Sequence, residues 1–140
     1  EACEEAIRLD PSYAEAHNTR GSALNELGRY KEALEACEEA IRLDPDNAAP
    51  YNNKGSALQG LRLYQEALEA CEQAIKLDPN NAVFHNNKGT VLDELRRYEE
   101  AIKAYEQAIS LDAHDALACS GRDAALKKLK KATRRWWLFR

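Results

Sequence analysis

The sequence predicts an all-α solenoid of antiparallel helix pairs, and three observations support this fold class. The segment GSALNELGRYKEALEACEEAIRLDP begins at Gly21. It returns in similar form at Gly55 and Gly89, each time 34 residues later. Within each copy, small and apolar residues recur at spacings of three and four, the periodicity of an amphipathic helix. In the first full copy, Gly28-Arg29-Tyr30 interrupts that periodicity, and each copy ends at an Asp-Pro or Asp-Ala stop. A fixed period of this length is typical of stacked two-helix repeats that share one core.

The repeat pattern divides the chain into six consecutive segments. We predict a partial repeat at 1–13, full repeats at 14–47, 48–81 and 82–115, a C-terminal capping helix at 116–131 and a basic aromatic tail at 132–140. The partial repeat contributes a second helix only, which ends before Pro11 because proline disfavours helix in the residue that precedes it.

Each full repeat predicts two helices with defined buried faces. In the first, a helix from Ala14 buries His17, Gly21 and Leu24, which lie on one stripe at 100° per residue. A second helix ends at Leu43, and the residues that follow supply a stop and a new N-cap. The repeated glycines leave room for close helix approach, where a larger residue would overpack the interface by about 1–3 kcal/mol.

Composition excludes several function classes. No apolar run approaches the length of a membrane-spanning helix, and no secretory signal is visible. Residues 1–126 carry all 24 acids and 13 bases, whereas residues 127–140 carry seven bases and no acid. We therefore expect no nucleic-acid partner for the repeats. The chain contains no methionine and begins inside a repeat, which favours a fragment, a processed chain or a designed protein.

The four cysteines indicate a reducing, cytoplasmic location. Cys3, Cys37 and Cys71 lie one period apart, and Cys119 follows in the last segment. Equivalent positions in stacked helices are separated by roughly 10 Å, the helix-packing distance, which is too far for a disulfide. Their spacing is not that of a zinc site. We expect small core residues and no metal or cofactor.

These features together resemble the tetratricopeptide repeat (TPR) family. Its pattern W-x2-L-G-x2-Y, A-x3-F and P matches at the glycine, the alanine, Pro45 and Pro79. The tryptophan position holds His17, Tyr51 and His85, and the phenylalanine position holds Cys37, Cys71 and Tyr105. The resemblance implies a right-handed superhelix and a protein–protein interaction function without catalysis.

A polar stripe on each first helix is the candidate binding surface, and the resemblance implies that it lines the concave groove. The candidate peptide-binding residues are Asn18, Thr19, Ser22, Asn25, Asn52, Asn53, Ser56, Asn86, Asn87 and Thr90. An amide offers a donor and an acceptor to an extended peptide, and some TPR arrays use asparagine ladders in this way. The alternative is that asparagine solvates the groove or pairs between adjacent repeats.

The charge of this surface indicates the client. The carboxylate clamp that some TPR proteins use for acidic C-termini is matched here only by Asn53. Acidic residues also occupy the stripe, including Glu15, Glu26, Asp93 and Glu94. We therefore expect a neutral or basic extended segment.

No residue pattern indicates an enzyme. His17 and His85 occupy an aromatic packing position, and His114 lies in a turn. No nucleophilic triad, phosphate loop or carboxylate pair stands apart from the repeat. We predict no catalytic residues.

The tail departs from every earlier pattern. The candidate assembly residues are Arg134, Arg135, Trp136, Trp137 and Phe139. The tail has three alternatives: a membrane contact, an extension of the capping helix that packs on another molecule, or a ligand for the acidic groove of a second copy. We favour helix extension with intermolecular packing over membrane contact. The alternative function is thus self-assembly or membrane-peripheral attachment through this tail.

Overall fold

A computed structural model describes residues 2–10 and 12–138, which form eight α-helices and no strand. The helices are α1 Ala2–Leu9, α2 Ala14–Glu26, α3 Tyr30–Leu43, α4 Ala48–Gly60, α5 Tyr64–Leu77, α6 Ala82–Glu94, α7 Tyr98–Leu111 and α8 Ala116–Leu138. They belong to two compact units, an N-terminal body, Glu1–Pro79, and a C-terminal body, Asn80–Arg140. The all-α class predicted from the period is confirmed.

A three-residue turn joins the two helices of each full repeat. Its middle residue is left-handed, with φ of 71° at Gly28, 62° at Arg62 and 59° at Arg96. In the first turn the N–H of Arg29 donates to the carbonyl oxygen of Leu24 at 2.9 Å, which satisfies a carbonyl at the helix end. Because the connection is so short, the second helix runs antiparallel to the first.

Side-chain caps start several of the first helices. The Asn47 Oδ1 accepts from the N–H of Ala49 at 3.1 Å, and the Asn81 Oδ1 accepts from the N–H of Val83 at 3.1 Å. Asp115 caps α8 by accepting from two main-chain N–H groups at 3.0 Å. Each cap satisfies a donor that a helix N-terminus otherwise leaves without a partner. The predicted N-cap that follows α3 is confirmed.

Glycine and cysteine set the helix spacing within the repeats of the N-terminal body. A Cβ atom on Gly21 would lie 2.6 Å from the Sγ of Cys37, and one on Gly55 would lie 2.9 Å from the Sγ of Cys71. Both sulfur atoms therefore occupy space that any larger residue on the facing helix would need. The alanines of the second helices are equally buried, with no exposed surface at Ala33, Ala40, Ala67, Ala74, Ala101 and Ala108.

Tyrosine takes the place of that cysteine in the C-terminal body. A Cβ atom on Gly89 of α6 would lie 2.7 Å from the Tyr105 ring, and one on Gly121 of α8 would lie 2.6 Å from it. The ring is only 3% exposed. A single side chain of α7 thus packs against glycines of both neighbouring first helices.

A second buried stripe on the first helices was not predicted. It consists of Ala16, Pro50, Ala57, Phe84, Val91, Ala118 and Ala125. Ala57 of α4 shares a buried cluster with Leu24, Ala33 and Ala36 of the preceding repeat. The core of the N-terminal body is therefore continuous across adjacent repeats, as expected for stacked units that each have two faces to cover.

The predicted end of the capping helix at residue 131 is wrong, since α8 continues to Leu138. The intervening residues include no glycine or proline and are mostly good helix formers. Arg135 in the last turn also interacts favourably with the helix dipole. Among the described residues, no helix combines the length and apolarity needed to cross a membrane.

Candidate functional site

In the N-terminal body, asparagine side chains connect the first helices α2 and α4. The Asn53 Nδ2 donates to the Asn18 Oδ1 at 2.8 Å, and the Asn25 Nδ2 donates to the main-chain oxygen of Asn53 at 2.8 Å. Asn18 and Asn52 are each only 8% exposed. The alternative in which asparagine pairs between adjacent repeats therefore holds for Asn18 and Asn53.

The Asn18–Asn53 pair uses only half of each amide. Within the described residues, the Asn18 Nδ2 donates to no acceptor and the Asn53 Oδ1 accepts from no donor. Neither of these two atoms is fully buried. The Asn25 Oδ1, in contrast, is buried and unpaired. The pair thus leaves one amide donor and one amide acceptor without a partner among the described residues.

The hydroxyl groups of the candidate site bond mainly to their own helices. Thr19, Ser56 and Thr90 each donate to the carbonyl oxygen four residues earlier, at 2.9, 3.3 and 3.1 Å. Their oxygen atoms keep acceptor capacity, but their hydrogen atoms are already used. Ser22 is half-buried on the same side of α2.

In the C-terminal body, the candidate residues Asn86, Asn87 and Thr90 are half-buried on α6. The Tyr105 hydroxyl donates to the Thr90 Oγ1 at 3.4 Å, which links this polar surface to the buried ring. Burial raises the pKa of the Tyr105 hydroxyl. The hydroxyl therefore remains protonated and a donor at neutral pH.

An ion pair between Lys128 and Asp93 fastens α8 to α6. The Lys128 Nζ donates to the Asp93 Oδ2, and this bond raises the pKa of the lysine. The other carboxylate oxygen, Asp93 Oδ1, is buried without a partner. One acid of the predicted polar stripe is thus already neutralised within the chain.

The histidines lie where the repeat pattern places them. His17 is 8% exposed, and His85 is half-buried at the equivalent position two repeats later. His114 is exposed in the turn before α8. Across residues 2–10 and 12–138, no group of three or more histidine, cysteine or acidic side chains is arranged to hold a metal ion.

The cysteines are free thiols, and two of them belong to the core. Cys37 and Cys71 are buried, whereas Cys3 and Cys119 are half-buried. Burial raises the pKa of the Cys37 thiol to about 12. Because the thiolate is the reactive form, this side chain is inert at neutral pH.

The sequence pattern of these helices matches a known family. Models of the tetratricopeptide repeat match residues 14–47 and 52–116. The chain is a tetratricopeptide repeat protein. The resemblance based on glycine, alanine and proline positions is confirmed.

Solved TPR structures resemble this one closely. The Arabidopsis OM64 TPR domain is 27% identical with a TM-score of 0.78, over 81% of this chain and 94% of that one. The second TPR domain of human RPAP3, solved with the HSP70 peptide SGPTIEEVD, is 27% identical with a TM-score of 0.75, over 80% and 93%. The first TPR domain of human RPAP3 has a TM-score of 0.85 at 23% identity, over 89% and 98%, and shows the fold alone. No curated protein sequence matches the chain.

In this TPR chain the predicted assembly residues Arg134, Arg135, Trp136 and Trp137 lie on the last turns of α8. Trp136 and Trp137 are 53% and 72% exposed, and their rings meet edge to face with centroids 5.3 Å apart. Arg134 and Arg135 are also exposed, and Phe139 lies outside the described residues. The helix-extension alternative is thus observed as far as Leu138, while intermolecular packing and membrane contact stay predictions.

Proposed function

We propose that this TPR chain is a protein–protein interaction module that holds an extended peptide against the polar surfaces of its first helices. The observation that carries the proposal is the Asn18–Asn53 pair, in which one amide N–H and one amide oxygen have no partner among the described residues. A peptide main chain offers a carbonyl acceptor and an N–H donor at every residue except proline, so one client residue satisfies both groups. Family membership and the peptide complex of the RPAP3 domain support the same class of function.

The asparagine network serves binding by holding these groups in place. Bonds from Asn53 to Asn18 and from Asn25 to Asn53 restrict the side chains before a client arrives. A side chain that is already ordered loses less conformational entropy on binding, about 0.5–1.5 kcal/mol for each one. Pairing between repeats and peptide binding are therefore compatible roles for the same residues.

The proposed client is neutral or basic. In the N-terminal body, Glu15 and Glu26 are exposed on α2, and a carboxylate near a carboxylate repels it. The peptide of the RPAP3 complex, SGPTIEEVD, is acidic. At positions where a carboxylate clamp carries basic residues or asparagine, this chain has Asn18, Ser22 and Asn87.

A near-isosteric substitution isolates the binding role of the asparagine pair. In Asn18→Asp the new carboxylate still accepts from the Asn53 Nδ2, but the side chain no longer donates. Nonapeptides selected from a phage-displayed random library serve as probes, with neutral sequences used for the comparison. We expect Asn18→Asp to weaken their affinity by about tenfold, since one hydrogen bond contributes roughly 1 kcal/mol and its carbonyl partner then faces a negative charge.

Gln73→Glu is the matched control, because it makes the same change from amide to carboxylate at an exposed site of the second helix α5. It should leave the affinity unchanged. Equal affinities for the wild-type chain and Asn18→Asp would contradict the proposed role of Asn18. Selection of acidic peptides that depend on Asn18 would contradict the proposed client class.

A further inference from the structure

A groove of about 700 Å³ lies in the C-terminal body, between the start of α7 and the distal half of α8. Its origin is the length of α8, which has 23 residues, whereas the first helix α6 has 13. Lys128 is the repeat equivalent of Glu94, the last residue of α6, so the residues after Lys128 extend beyond the normal end of a first helix. We call this groove the α7–α8 notch.

Basic side chains dominate the lining of the α7–α8 notch. They are Arg96, Arg97, Lys128, Lys131 and Arg135, against the two acids Glu99 and Glu100. Because α8 and the turn before α7 both contribute bases, positive charge faces the notch from two sides. Such an arrangement concentrates the electrostatic potential within a groove.

Two of these bases are already paired within the chain. The Arg97 Nη2 bonds to the Glu100 carboxylate at 2.6 Å, and Lys128 bonds to Asp93. The other three bases, Arg96, Lys131 and Arg135, form no ion pair or hydrogen bond with any described side chain. Their charge is thus available to an external anion.

The notch also has an apolar floor. Leu129 and Tyr98 are half-buried in it, and the methyl group of Ala132 is exposed beside them. Half-buried apolar groups beneath a charged rim are typical of protein interfaces, in which an apolar anchor fills a pocket and charged groups surround it. Simple inorganic anions would use the bases but leave this floor uncovered.

We propose that the α7–α8 notch docks an acidic segment of a partner protein that carries at least one bulky apolar side chain. Carboxylates of that segment would pair with Arg96 on one wall and with Lys131 and Arg135 on the other, while the apolar side chain covers Leu129 and Tyr98. A planar lipid surface fits the arrangement less well, because it contacts a convex helix face and not bases that converge inside a groove. The lining of the notch includes none of the asparagine-surface residues, and its client is acidic instead of neutral or basic.

Two double charge reversals on α8 provide a matched test. Lys131→Glu with Arg135→Glu alters the notch lining, whereas Lys130→Glu with Arg134→Glu makes the same change in net charge at the same spacing outside that lining. Both pairs lie in the last turns of α8, so their effects on helix stability should be similar. The probe is a fluorescein-labelled peptide, EDELDELDEE, and fluorescence anisotropy measures its affinity for the full chain at low salt.

We expect the notch pair of substitutions to weaken binding at least about tenfold, and the control pair to weaken it less than about threefold through long-range charge alone. The amide analogue QNQLNQLNQQ should not bind, and Asn18→Asp should leave binding of the acidic peptide unchanged. That last measurement separates failure of the notch from failure of the asparagine surface.

Three results would overturn the proposal. The first is an equal loss for both pairs of substitutions, which indicates non-specific attraction to a basic helix. The second is that the chain binds phosphatidylserine vesicles but not the peptide, and that both pairs of substitutions impair this binding. That result indicates a membrane surface. The third is a concentration-dependent dimer of the chain alone that only the notch substitutions disrupt, which indicates a second copy as the occupant.

Discussion

The close contact between Gly21 and Cys37 should make Gly21→Ala destabilising, although alanine is the better helix former. In an exposed helix, Gly→Ala stabilises by about 0.8–1.0 kcal/mol, because alanine has the higher helix propensity. Here the new Cβ would lie 2.6 Å from the Cys37 Sγ, and overpacking of this kind costs about 1–3 kcal/mol. We expect Gly21→Ala to lower the free energy of unfolding by about 1 kcal/mol.

Removing the sulfur atom should reverse the sign of that effect. In a Cys37→Ala background, the nearest neighbours of the new Cβ are the Ala33 oxygen and the main-chain nitrogen of residue 37, both 3.5 Å away, which is ordinary contact. Gly21→Ala should then stabilise by about 1 kcal/mol, which gives a coupling free energy of about 2 kcal/mol between the two sites.

Urea unfolding followed by circular dichroism measures all four members of this cycle. Gly28→Ala is the control substitution, since a Cβ on Gly28 meets nothing within 4 Å, although its φ of 71° still strains alanine. It should destabilise equally in both backgrounds and show no coupling to Cys37. If Gly21→Ala stabilises both backgrounds equally, the thiol moves aside at no cost and the proposed packing constraint is wrong.

Three further predictions concern stability. Arg62→Gly should stabilise by about 1 kcal/mol, because arginine there adopts a φ of 62°, and Gly28→Arg should destabilise by a similar amount in thermal unfolding. Gly121→Ala should destabilise by more than about 1 kcal/mol because of the Tyr105 ring, and a Tyr105→Leu background should reduce that loss in urea unfolding. The Cys37 thiol pKa rises from an ordinary value near 9.0 to about 12 on folding. The contribution of the protonated thiol to the free energy of unfolding is therefore complete below pH 9 and decreases as pH rises toward 12. Between pH 8 and 10 the free energy of unfolding should fall by about 1.4 kcal/mol more in the wild type than in Cys37→Ala.

Most of the fold could be predicted because its signals are local. Helix periodicity, the turn at Gly28 and the stop at Pro45 each act within a few residues, so a single chain displays them directly. The close approach at Gly21 was also predictable, since a glycine that recurs on a buried stripe indicates a neighbour with no space for a side chain. The boundary of the capping helix at residue 131 was set from the change to a basic, aromatic composition, but α8 continues to Leu138, as the favoured helix-extension alternative expects.

The candidate site was less predictable because hydrogen-bond partners are chosen in three dimensions. Positions 18, 25 and 53 could be assigned to one polar side of the first helices, but not to particular bonds. Whether the Asn53 Nδ2 turns toward a client or toward Asn18 depends on the distance between α2 and α4, which is set by packing. The α7–α8 notch was missed for the same reason, since Arg96 and Lys131 become neighbours only when α8 extends beside the turn before α7.

The 34-residue period by itself determined that this protein is a TPR array, where the chain turns between the two helices of a repeat, and which small residues lie at the contacts between helices. These properties follow from backbone geometry and side-chain volume, which every repeat expresses in its own sequence. The tertiary structure decided which polar groups are paired: it joins the Asn53 Nδ2 to the Asn18 Oδ1 and Lys128 to Asp93, and it leaves the Asn18 Nδ2 and the Asn53 Oδ1 without a partner among the described residues. Hydrogen bonds and ion pairs act at contact range, so only the packed helices determine which groups a partner can reach.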